Sequence, residues 1–152
     1  MTSKPLQRWL ESGALRRHRP TRREINDLLA VVDRDYADAQ VTAVSLDRRF
    51  ATAYSSALQL ATVVLTAEGY RASAQRGHHV VTIRALPELL GDEFRETAHY
   101  LDSCRALRNT SDYDRVGAIS KNDVAELLDE VSRLRDLVVD WLGSKHPSLA
   151  FD

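Results

Sequence analysis

Apolar residues that recur three or four positions apart constrain this chain more than any other feature. The clearest run is Val124, Leu127, Leu128, Val131, Leu134, Val138 and Trp141. At about 100° per residue these side chains form one stripe, so the segment is a helix with a face to bury. Ser120 with Asp123 caps its start, and Gly143 is expected to stop it, which gives a helix over about 121–142.

The same spacing recurs upstream. Leu6, Trp9, Leu10 and Ala14 mark a short amphipathic piece over 5–15, broken by Pro20. Thr21 and Glu24 read as a capping box ahead of a helix over about 22–39, striped by Ile25, Leu28, Leu29, Val32 and Tyr36. A third helix starts near Ser45 or Asp47 and ends at Gly69. Leu46, Phe50, Tyr54, Ala57, Ala61, Val64 and Leu65 line it, and Ala51, Ala53, Ser55 and Ser56 let a neighbour approach closely. After a polar turn, His78 opens a helix with Val80, Ile83 and Leu86 facing inward, which Pro87 and Gly91 end or kink. A fifth helix runs from about Asp92 to Asn109. The β-branched cluster Val80–Ile83 is too short and isolated to build a sheet.

The fold class that follows is all-α: an antiparallel bundle of four main helices plus one or two additional N-terminal or short helices. It divides into a basic N-terminal helical arm, 1–20, the bundle, 21–143, and a C-terminal tail, 144–152.

Size and composition agree with one such domain. The chain has 152 residues, 43% hydrophobic and 28% charged. Its apolar runs fall short of the roughly 18 residues of a membrane span, and the first residues lack a signal-peptide core, so a cytoplasmic protein without a membrane partner is expected. The single cysteine, Cys104, excludes an intrachain disulfide and a cysteine-based zinc site. It lies on an apolar stripe and is expected to pack as a small hydrophobe. No metal site and no cofactor is expected. His78 and His79 are adjacent, diverge on a helix and cannot form an i, i+4 metal pair, so a helix-opening or packing role is expected for them.

Charge is uneven. Residues 1–23 carry seven basic residues against one acid, although the whole chain is close to neutral at −1. Arg16, Arg17 and Arg19 form the densest part, an auxiliary arm that either attracts phosphates or docks on the protein's own acidic surface.

The fifth helix holds the anomaly. Phe94, Ala98, Leu101 and Cys104 define its apolar line, yet Arg108 falls about 20° and Arg105 about 40° from that line. A guanidinium keeps its charge, so its burial calls for a carboxylate or a bound phosphate. Asp102, Asp112 and Asp114 are the acids at hand. Two readings follow: a structural Arg–Asp clamp that pins the loop, or a polar cleft for a nucleotide or RNA. Arginine suits the second because its planar fork grips two phosphate oxygens, and Tyr113 adds a ring or a hydroxyl.

The string Arg108-Asn109-x-x-Asp112-Tyr113 closes the penultimate helix ahead of a loop and a capped last helix. With the long small-residue helix ending at Gly69 and the His78-His79 pair, it resembles the HEPN superfamily (higher eukaryotes and prokaryotes nucleotide-binding domain) over about residues 45–142. The resemblance implies a helical bundle, a homodimer with the motif in a shared cleft, and a role beside a nucleotidyltransferase-type partner in a toxin–antitoxin or defence pair. Arg105, Arg108, Asn109, Asp112 and Tyr113 would then bind RNA or a nucleotide. The family's ribonucleases follow the arginine with a histidine, but here none lies between His99 and His146. Binding without the usual cleavage chemistry is therefore expected, and catalytic residues are left unassigned. The alternatives are a metal-independent ribonuclease toxin that uses Arg108 with Asp112 or Tyr113, and an interaction scaffold held by an Arg–Asp clamp.

Overall fold

A computed structural model describes residues 3–74, 77–111 and 116–150. The chain is mainly helical, as the stripes require: α1 Lys4–Ser12, α2 Arg22–Asp38, α3 Leu46–Ala67, α4 His78–Leu90, α5 Arg95–Asn109 and α6 Lys121–Lys145. A single 3₁₀ turn, Asp92–Phe94, leads into α5.

The long apolar helix α3 is the axis of the bundle, with α2, α4, α5 and α6 packed around it. Its length and composition would suit a membrane span, but two thirds of its most apolar stretch is buried by the other helices. The small residues do what their size allows. Ala53, Ser56 and Ala57 are fully buried, and the Ser56 hydroxyl donates to the Val32 carbonyl of α2 at 2.8 Å. From α6, Val124, Leu127, Val131, Leu134, Val138 and Leu142 enter the main core.

Several element ends differ from the sequence expectation. Strand β1, Leu15–Arg17, pairs antiparallel with β2, Tyr70–Ala72, in the register Leu15↔Ala72, Arg16↔Arg71 and Arg17↔Tyr70. The expected helical arm is therefore helix only to Ser12, where Gly13 takes a left-handed φ of 81° and turns the chain. Leu15 is 1% exposed and joins Leu6, Leu65, Tyr70 and Ala85 in a second, smaller core. Burial of Leu15 outweighs continuation of α1, and it fastens the basic segment to the body of the protein.

Glu24 supplies only half of the expected box. Thr21 caps the Glu24 N–H at 3.2 Å, but the Glu24 carboxylate pairs with His18 at 2.8 Å. Ser120 and Asp123 form the full reciprocal box. Pro87 sits inside α4, held there by burial of Ile83, Leu86 and Pro87, and Gly91 ends the helix. Gly143 does not stop α6. Lys145 and His146 both reach Glu68 beyond the end of α3, at 2.6 and 3.3 Å, and these contacts carry the helix through the glycine to Lys145. The tail after it folds back, placing Leu149 against the main core.

Candidate functional site

Helices α4 and α5 run antiparallel, joined by the short turn at Gly91–Phe94. The start of α4 therefore lies beside the end of α5. Between them opens a cleft of about 480 Å³, lined by Gly77, His78, His79, Arg105, Arg108 and Asn109 among others. Three of the residues singled out in the sequence, Arg105, Arg108 and Asn109, thus share one wall. Asp112 and Tyr113 lie outside the described residues, as does Asp114.

The core line of α5 ends at Cys104, which is 4% exposed. Burial pushes its thiol pKa up to about 11, so it packs as a protonated, inert side chain. One turn further, the line meets an aromatic ring in place of an aliphatic neighbour. The Arg108 guanidinium lies 5.7 Å from the centroid of the buried Tyr54 ring. Arg108 is half-buried rather than enclosed, so its guanidinium sits near the ring and also lines the cleft. Arg105 is also half-buried and pairs with Asp102 on its own helix at 3.0 Å. That pair steadies the side chain along α5.

The opposite wall is the first turn of α4. Gly77 precedes it at φ 90° with no side-chain cap, so the leading N–H groups of this helix have no side-chain acceptor at that cap. They add the positive end of a helix dipole to the arginines. His79 Nδ1 lies 3.3 Å from the Tyr54 hydroxyl. Burial, then His78, Arg108 and Arg105 nearby, lowers the His79 pKa and favours the neutral imidazole. Burial pushes Tyr54 up to about 12, so its hydroxyl stays protonated. None of the described residues lining the cleft is acidic. Two arginines, an asparagine and an imidazole that favours its neutral form thus line the described part of the cleft, with the Tyr54 phenol buried behind them.

Sequence reasoning placed Tyr54 on a core stripe and His78-His79 at a helix opening. Both placements hold; His78 and His79 also line this cleft, and Tyr54 lies buried behind it, in contact with Arg108 and His79. The signal that links them is the short α4–α5 connection, which pairs the start of one helix with the end of the other. The basic segment lies elsewhere. Arg16 and Arg17 are exposed on β1, with Arg17 5.7 Å from the Tyr70 ring centroid, and Arg19 follows the strand. Among the described residues no group of histidine, cysteine and carboxylate side chains could hold a metal ion. Comparison with family models, with curated proteins and with solved structures returns no match.

Proposed function

We propose that this chain binds RNA or a nucleotide through the cleft between α4 and α5. The observation that carries the reading is the convergence of Arg105, Arg108 and Asn109 with the uncapped start of α4 around one cavity. Cationic forks and helix N–H groups directed at one space are the standard means of holding a phosphate. The volume suits one small ligand. The HEPN resemblance adds context: a homodimer, and a nucleotidyltransferase-type partner in a toxin–antitoxin or defence pair.

A second reading, metal-independent RNA cleavage, is favoured by His79. The arginine string has no following histidine, but α4 brings an imidazole to the same cleft. When Nδ1–H donates to the Tyr54 oxygen, Nε2 is the acceptor that could take a ribose 2′-hydroxyl proton.

Purified protein incubated with single-stranded RNA, scored for binding and cleavage in the presence of a chelator, separates the two readings. Saturable binding of intact RNA that is lost in Arg108→Ala supports the first. Cleavage that is lost in His79→Gln with binding retained supports the second. No binding and no cleavage would leave the interaction scaffold.

A further inference from the structure

A second cavity, of about 380 Å³, lies between α1, α4 and α5. Trp9 and Arg8 line it from α1, Arg84 and Glu88 from α4, and Arg95, His99 and Asp102 from α5. Its charges are unequally used. Arg95 pairs with Asp92 and Glu88, and Asp102 pairs with Arg105. Arg8 and Arg84 have no hydrogen bond or ion pair among the described residues. Two exposed guanidinium groups and a half-buried indole are thus gathered around one hollow.

This cavity adjoins the first cleft along the same two helices. Asp102 lines one and Arg105, its ion-pair partner one turn on, lines the other. On α4, Val80 lines the first and Arg84 the second, again one turn apart. From His99 to Arg108 the path along α5 is about 14 Å at the helical rise. A mononucleotide in one hollow leaves the other empty, whereas a strand joins them.

We infer that the α4–α5 face is a two-site groove for single-stranded RNA, in which the α1-side cavity takes an adjoining nucleotide. Its base stacks on Trp9, and its phosphate lies with Arg8 and Arg84. This rests on the reading of the first cleft as an RNA site and deepens it: the ligand is a strand, not a free nucleotide. Stacking on an aromatic ring beside arginines is tolerant of sequence, so the groove reads backbone and length more than base identity.

The test is fluorescence anisotropy with a labelled RNA mononucleotide and a labelled single-stranded RNA hexamer. The wild type, Arg108→Ala and the double variant Arg8→Ala/Arg84→Ala are compared across a salt series. The hexamer should bind the wild type at least about tenfold more tightly than the mononucleotide, and the double variant should bring the two together. Loss of this phosphate contact should lower the salt slope by about 0.7. In a Trp141→Phe background, Trp9 is the remaining indole, and the hexamer should quench its emission. Hexamer binding and salt slope unchanged in the double variant, with Trp9 emission unmoved, would overturn the two-site groove while the first cleft stands. Hexamer binding unchanged in Arg108→Ala, or absent in the wild type, would overturn the first cleft and this inference with it.

Discussion

The α2–α3 contact and the α4–α5 contact treat polar side chains in opposite ways. Between α2 and α3, Asp35 is 6% exposed and accepts from Ser55 at 2.9 Å and from Arg34 at 3.0 Å. Ser56 bonds the Val32 carbonyl in full burial. These groups find partners inside the protein, and small residues close the gap around them. Between α4 and α5 the polar groups border two cavities, and the first of these gathers cations with no acid among its described lining. One contact holds the bundle together. The other leaves charged side chains bordering open space, Arg105 and Arg108 among them.

Four variants sharpen that contrast, and the largest effect belongs to the apolar axis. Leu60 of α3 is fully buried, so Leu60→Ala should cost about 2–5 kcal/mol in denaturant unfolding. A smaller loss would mean that the bundle relaxes around α3. Asp35→Ala comes next. It leaves the Ser55 hydroxyl without its carboxylate, at a cost of about 1–3 kcal/mol, with RNA binding unchanged. Arg108→Ala should reverse the pattern. Loss of its contact with the Tyr54 ring should cost about 0.5–1 kcal/mol, while RNA binding falls steeply.

The smallest effect is a pH dependence. Burial and neighbouring cations hold the His79 pKa below its ordinary value of 6.5. The unfolded chain therefore takes up this proton first as pH falls. The contribution of neutral His79 is complete above about pH 6.5 and is lost as pH drops toward the folded value. His79→Gln should show a smaller fall in melting temperature than the wild type between about pH 7.5 and about pH 5.5. Equal falls would place the imidazole in open solvent.

Much of the bundle was legible because helical periodicity is a local property. The stripe of α6 and the capping pair Ser120–Asp123 read directly from the sequence. Strand β1 did not, since Leu15 gains its burial from Leu65 and Tyr70, some fifty residues away in sequence. The end of α6 was missed for a similar reason: Glu68 lies on another part of the chain. The cleft was half legible. Arg105 and Arg108 stood out because arginine breaks an apolar line. Tyr54 and His79 did not, because each fits its own helix without remark, and only the folded contact places them beside Arg108.

We propose that Arg108 in the α4–α5 cleft chiefly holds a phosphate-bearing ligand. The most direct measurement pairs a single-stranded RNA binding titration with a thermal melt on Arg108→Ala and the wild type. The variant should lose at least about tenfold in affinity, with the melting temperature lowered by only a few degrees. Unchanged affinity with a collapse in stability would contradict it and assign Arg108 to a structural clamp.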